Sequence, residues 1–278
     1  MTAREKSRRK PRQVELQIAG SEDMADDSQF LTALARGLTV LETCVKAGAP
    51  IGTGEITKET GLSLPTVSRM AYTLYQLGYL QYISRERLYV PGPRSALLSA
   101  LISMRINLRT VARPLMEKLT RETDCSVGIG TLVDNQMRYL DAFEAESIIG
   151  LRLDVGMQLP VLNTAIGRAY LAGVSAETCD EICEKLRPRE EAEWNDLRAR
   201  IKSSLRHYRD HGYCISIGEW HKQINSVAAP ISDPSTRGVY VVVAGAPAYS
   251  LPKERLREEI GPRLLALVAD VKKAVGSG

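Results

Sequence analysis

From Phe30 to Ala47 apolar residues recur every three to four positions, at Leu31, Leu34, Leu38, Leu41 and Val45, which predicts an amphipathic helix stopped by Gly48 and Pro50. A short second helix is expected from Thr53, as N-cap, to Thr60, with Glu55 in its first turn where the helix dipole favours an acid. Gly61 breaks it, because glycine takes the left-handed conformation that a helix end needs. Ser63 caps the next helix and Pro65 sits in its first turn, where a missing N–H matters least. Val67, Met70, Ala71, Leu74 and Leu77 then mark its buried stripe, and Gly78 ends it. Two strands follow, Tyr79 to Ile83 and Leu88 to Val90, around a tip of Ser84, Arg85, Glu86 and Arg87.

The pattern changes after Pro93. Residues 94–108 make a helix too apolar to stand alone in solvent, and a second helix is expected from Val111 to Thr123 with Pro114 in its first turn. Strands at Cys125 to Val133 and Met137 to Ala142 flank Asp134 and Asn135, an antiparallel hairpin signal. Gly150 to Asp154 reads as a strand, Gly156 to Pro160 as a loop, and Asn163 to Ala172 as a helix opened by Asn163 or Thr164. Two helices broken near Pro188 fill Ala176 to His211. Strands follow at Tyr213 to Ile217, Ser226 to Ile231 and Gly238 to Ala246, with Asp233 and Pro234 in a turn, and Pro252 to Ala274 closes the chain as a helix. The predicted class is α+β, with a mostly antiparallel sheet in the second half.

With 278 residues the chain can hold two domains, each with its own core. A net charge of +4 permits nucleic-acid binding without arguing for it. No apolar run approaches the roughly 20 residues that span a bilayer, and no apolar signal core follows the basic start, so a cytoplasmic protein is expected. Residues 1–29 pair a basic opening with the acidic run SEDMADDS, bury little apolar surface, and are expected to be a disordered tail. The five cysteines, Cys44, Cys125, Cys179, Cys183 and Cys214, are odd in number and scattered, which argues against a disulfide framework. Cys179 and Cys183 can share a helix face, yet His207, His211 and His221 form no cluster with them, so no metal site or cofactor is assigned.

Helix, tight turn, helix and hairpin over 53–91 is the layout of a winged helix-turn-helix unit. Thr66, Ser68, Arg69, Tyr72 and Gln76 lie off the apolar stripe as hydrogen-bonding or cationic groups. Arginine suits a guanine edge or a phosphate, while serine and threonine suit phosphates, base edges or a thymine methyl. Arg85 and Arg87 at the hairpin tip suit the phosphate backbone.

The run GEITKETGLSLPTVSRMAYTLYQLGYL, preceded by ARGLTVLETCVKAG and followed by YVPGP, resembles the amino-terminal domain of the IclR family of bacterial transcriptional regulators. Leu64 and Pro65 stand where that family usually has a basic or polar residue followed by serine. GMQLPVLNTAIGRAYLAG and HGYCISIGEWHKQINSVAAPISDPSTRGVYVVVAGAP resemble the family's ligand-sensing domain, which is similar to GAF domains. The resemblance covers about residues 30–272. It implies a winged helix-turn-helix domain at 30–92, a linker helix at 93–108 that brings subunits together, and an effector-binding domain at 109–278. It also implies DNA contacts from Pro65, Thr66, Ser68, Arg69, Tyr72, Arg85 and Arg87, made by a homodimer or homotetramer on a double-stranded operator. Effector contacts are implied at Ala165, Ile166, Ser216, Ile224, Ser226, Val242 and Ala244. With no hydroxyl at Val242 or Ala244, the expected effector is a small organic acid with an aromatic or otherwise apolar body. An enzyme is the rival class, but no GxSxG, HExxH, P-loop or GxGxxG motif occurs, and Glu219 has no partner carboxylate. An adaptor using the winged helix for protein contacts is the third reading, and arginines on both helix and wing argue against it.

Overall fold

A computed structural model of the chain describes residues 29–105, 107–146, 153–188, 191–233 and 238–275. The chain divides into two compact units between Ile102 and Ser103.

The first unit opens with α1 (Thr32–Lys46), β1 (Ile51–Gly52), α2 (Thr53–Thr60) and α3 (Leu64–Gln76), followed by β2 (Leu80–Ile83), β3 (Leu88–Pro91) and α4, which begins at Pro93 and runs to Arg105. Val40, Cys44, Ile56, Leu62, Val67, Ala71 and Leu80 form its core. Gly61 adopts φ 67° and Gly78 φ 78°, the left-handed conformation expected of both. At the end of α3 the N–H groups of Gly78 and Tyr79 donate to the carbonyls of Tyr75 and Leu74, closing a Schellman motif that stops the helix and aims the chain into β2. The cap of α2 is Gly52 rather than Thr53; the Glu55 carboxylate reaches back to accept the Gly52 N–H at 3.0 Å. Leu77, expected in the buried stripe, is 48% exposed, because the helix ends before that position can turn inward. The wing gains a third strand, in the order β1-β3-β2, through pairing of Ile51 with Tyr89.

The second unit is built on α5 (Asn107–Thr123), β4 (Ser126–Val133), β5 (Gln136–Phe143), β6 (Gln158–Leu159), α6 (Ala165–Gly173), α7 (Ala176–Lys185), α8 (Glu191–His211), β7 (Cys214–Ile217), β8 (Ile224–Ser232) and β9 (Val239–Pro247). It closes with the single turn α9 (Lys253–Arg255), a π-helical segment over Leu256–Ile260, and α10 (Gly261–Val275). A six-stranded sheet in the order β6-β5-β4-β9-β8-β7 has every described pairing antiparallel. One core packs Val127, Ile129, Val242 and Ala244 against Met116 of α5 and Leu264 and Val268 of α10. The other packs Met137, Tyr139, Val241 and Val243 against Ile166 of α6 and Ile201 of α8. The sheet is thus covered on both faces.

The hairpin turn has Asp134 at φ 52° and Asn135 at φ 60°, the geometry that short Asx side chains tolerate. Four expected elements are corrected. The chain is already helical at residues 107–110, ahead of the expected start at Val111, with Leu108 buried; Pro114 therefore lies inside the helix and exposed, where water can satisfy the carbonyl it leaves unpaired. Residues 156–160, read as a loop, contain β6, which pairs with Met137 and Arg138. Leu153 and Asp154 are not in a strand, and the rest of that expected strand lies outside the described residues. The closing helix is interrupted by the π segment instead of running unbroken. No described helix is long and apolar enough to cross a membrane.

Candidate functional site

On α3, Pro65, Ser68, Arg69, Tyr72 and Gln76 are exposed while Val67 and Ala71 are fully buried, so the amphipathic spacing alone turns this row outward. Thr66 is half-buried, and its Oγ1 lies 2.9 Å from the Ser63 Oγ, a pairing that links the residue before the helix to its first turn. Arg85 and Arg87 stand exposed at the wing tip, Arg87 at φ 59°. Among the described residues no ion pair engages Arg69, Arg85 or Arg87, which leaves three cations on one unit available to an outside anion.

Tyr75, Tyr82 and Tyr89 join α3 to the wing, with ring centroids 6.4 Å and 4.9 Å apart. These rings hold the recognition helix and hairpin at a set spacing, a role that single tyrosines scattered through the sequence do not announce. α4 is anchored to the same hairpin: the Ser95 hydroxyl donates to Tyr79 O at 2.8 Å, and Arg94 Nη1 donates to Leu77 O at 3.2 Å. Leu97, Leu98, Leu101 and Ile102 along α4 are each about half exposed or more.

In the second unit, a cavity on the α6 face of the sheet is lined by Tyr139, Leu153, Leu159, Thr164, Ala165, Ile166, Ser216, Trp220, Ile224, Ser226, Val243 and Gly245. Its floor is a lateral row of small residues: Ser216 on β7 pairs with Ser226 on β8, which pairs with Gly245 on β9. The start of α6 faces that row. Thr164 caps the helix, accepting the Gly167 N–H at 3.1 Å while donating to Pro160 O at 2.6 Å. The N–H groups of Ala165 and Ile166 have no intrahelical acceptor and lie at the positive end of the helix dipole. Burial pushes the Tyr139 phenol up, so it stays protonated as part of the wall. The enclosed space is about 30 Å³ and partly open to solvent.

Five of the seven expected effector residues, Ala165, Ile166, Ser216, Ile224 and Ser226, come together in this cavity. Val242 and Ala244 do not: both point to the opposite face of β9, into the core with α5 and α10, and Val243 and Gly245 take the cavity positions. Side chains alternate along a strand, so a register error of one residue exchanges the faces. Neither Val243 nor Gly245 carries a hydroxyl, so the apolar character survives the correction. Sequence reading missed Trp220, Tyr139 and Leu153; Trp220 could have been found as a large apolar residue beside the acidic turn.

Just behind the cavity, Arg168 of α6 is 2% exposed and forms a two-pronged bond with Glu219: Nη1 to Oε1 at 2.9 Å and Nη2 to Oε2 at 2.5 Å. Its Nε also donates to Leu162 O at 3.0 Å. One side chain therefore ties together α6, the loop before it, and the turn that carries Trp220.

Residues 33–84 match the IclR helix-turn-helix domain, and residues 100–275 match the family described as bacterial transcriptional regulator IclR C-terminal. The chain is 29% identical over 242 residues to the HTH-type transcriptional regulator TsaQ1/TsaQ2 of Comamonas testosteroni, covering 86% of this chain and 87% of that one. The crystal structure of an IclR family transcriptional regulator from Brucella abortus is 38% identical, with a TM-score of 0.70 over 91% of this chain and 95% of that chain. An IclR homolog from Microbacterium hydrocarbonoxydans, solved in complex with 4-hydroxybenzoate, has the same fold at 21% identity, with a TM-score of 0.71 over 88% of this chain and 100% of that chain.

Proposed function

This chain belongs to the IclR family of bacterial transcriptional regulators, and from that premise we propose that a small aromatic acid, held in the cavity at the start of α6, sets how tightly α3 and the wing hold DNA. The observation that carries the reading is the cavity's division of labour. The unsatisfied N–H groups of Ala165 and Ile166, with the hydroxyls of Ser216 and Ser226, offer donors to a carboxylate, which is costly to bury without them. Ile166, Ile224, Trp220 and Val243 offer an apolar wall to a ring.

A benzene-sized guest needs roughly 150 Å³, so the cavity of about 30 Å³ has to open further as the acid enters. That opening is the conformational work through which a ligand changes the protein's state. Calorimetric titration with 4-hydroxybenzoate and benzoate against glyoxylate and pyruvate checks the ligand class. Saturable binding of an aromatic acid is expected, and Ser226→Leu, which places an apolar side chain on the cavity floor, should abolish it while leaving the free protein's DNA affinity unchanged. Binding of the short acids alone would overturn the aromatic reading.

On the DNA side, Arg69 is the residue assigned to base reading, with Ser68 and Tyr72 beside it and Arg85 and Arg87 on the backbone. Arg69→Ala should weaken specific operator binding by about 1–3 kcal/mol with the fold unchanged, read in a shift assay at fixed salt. Equal affinity of the two proteins would remove Arg69 from that role. One recognition helix spans only a few base pairs, so the reading requires at least two copies on one duplex, with the apolar row Leu97, Leu98, Leu101 and Ile102 between subunits. The stoichiometry of the same shifted complex checks this. The protein acts where its operator lies, in the cytoplasm.

A further inference from the structure

A second, larger concavity of about 440 Å³ lies at the open edge of the six-stranded sheet, lined by Arg168, Arg200, Ser203, Ser204, His207, Ile215, Ile217, Glu219, Lys253 and Arg257. We propose that this groove is a binding site for a small polyanion, a molecule carrying two or more phosphate or carboxylate groups, distinct from the aromatic-acid cavity.

The charge balance comes first. Four of the lining residues carry fixed positive charge, Arg168, Arg200, Lys253 and Arg257, against one carboxylate, Glu219. Glu219 is already committed to Arg168. Arg200 meets Asp196 on its own helix and reaches Glu219 only at 3.9 Å. Lys253 and Arg257 make no ion pair among the described residues, although they face the same hollow as the other cations. Like charges gathered without a counter-charge repel, and an anion spanning them relieves that cost. A single carboxylate can neutralise only one such group, which is why the site favours a multiply charged ligand.

The polar lining is also incomplete. Ser204 is 7% exposed, and its Oγ has no partner among the described residues; the buried Nε2 of His207 likewise has none. Buried polar atoms are ordinarily satisfied, so two unpaired ones just behind the wall leave the groove's polar lining short of partners. His207 stacks on His211 with ring centroids 4.2 Å apart, and burial, His211 and Arg257 all lower its pKa, leaving a neutral imidazole beside the cations.

The backbone adds donors. β7 is the edge strand, and the Gly218 N–H donates to Ile224 O in the same register that pairs Ile217 with Asn225. By the alternation of antiparallel ladders, the N–H and C=O groups of Ile215 and Ile217 then point away from β8 toward the open edge that the groove covers. Arg257 comes from the π-helical segment, a form of helix that is found mostly as single turns at functional sites.

Calorimetric titration of the full-length protein with inorganic pyrophosphate and with citrate tests the proposal and separates a phosphate from a carboxylate source. Saturable binding of at least one is expected, weakened by added salt. The double variant Lys253→Ala/Arg257→Ala, which alters only exposed side chains, should bind at least tenfold more weakly, and Arg69→Ala should bind as the parent does. No saturable binding of either anion at millimolar concentration, undiminished binding by the double variant, or a loss in Arg69→Ala that places the anion on the DNA-reading surface would each overturn it.

Discussion

Replacing Gly167 with alanine is expected to destabilise the effector-binding unit by on the order of 4 kcal/mol, among the largest effects of any single methyl group in this protein. A Cβ at Gly167 would sit 2.0 Å from the Val161 carbonyl oxygen and 2.5 Å from its carbonyl carbon. Those atoms are backbone, so no rotamer change relieves the overlap. The loop 160–164 cannot retreat easily either, because Thr164 bonds Pro160 O and Gly167 N, and Arg168 Nε bonds Leu162 O. The helix and its preceding loop are in contact main chain to main chain, and the donors at Ala165 and Ile166 depend on that contact. Urea unfolding followed by far-UV circular dichroism should show the lowered midpoint, and aromatic-acid binding should be lost in parallel. A Gly167→Ala protein as stable as the parent would mean that loop and helix are not held together as described.

The second large effect concerns the Arg168–Glu219 pair, and it is asymmetric. Glu219→Ala strands a guanidinium that is 2% exposed with only the Leu162 carbonyl to receive it, and should cost about 3–5 kcal/mol. Arg168→Met removes the buried charge itself and leaves a carboxylate whose side chain is 23% exposed and can take water, so its cost should be smaller, roughly 1–2 kcal/mol. Denaturant midpoints of the two variants measure the difference. Equal costs, or a larger one for Arg168→Met, would contradict the burial on which the argument rests. Because Trp220 follows Glu219 directly and lines the cavity, Glu219→Ala should also shift the tryptophan emission and weaken aromatic-acid binding.

How much of this was legible beforehand depends on the range of the interaction. The recognition helix and its exposed row followed from spacing, because on an isolated amphipathic helix the buried stripe defines the opposite face. The ends of α2 and α3 followed from Gly61 and Gly78, and the β4–β5 turn from Asp134 and Asn135, since each positive φ falls on a residue type that tolerates it. In the second unit, the family motif pointed to the α6 N-terminus and the β7–β8 serines, which the structure gathers around one cavity, and to Val242 and Ala244 of β9, which it places on the opposite face. That strand, VYVVVAGAP, is buried on both faces, so it shows no alternation from which the cavity side could be read.

The sequence by itself determined whatever is local: which segments are helices or strands, where the chain turns, and which residues of α3 face outward, because capping, φ preference and periodicity act over a few residues. Only the tertiary structure decided which side of β9 meets the cavity, why Gly167 admits no side chain, that Arg168 finds Glu219 51 positions away, and that Arg200, His207, Lys253 and Arg257 converge on one sheet edge. Each of these depends on the packing of elements distant in sequence. The linear pattern specifies the face that an element buries, and the assembled sheet specifies what that face meets.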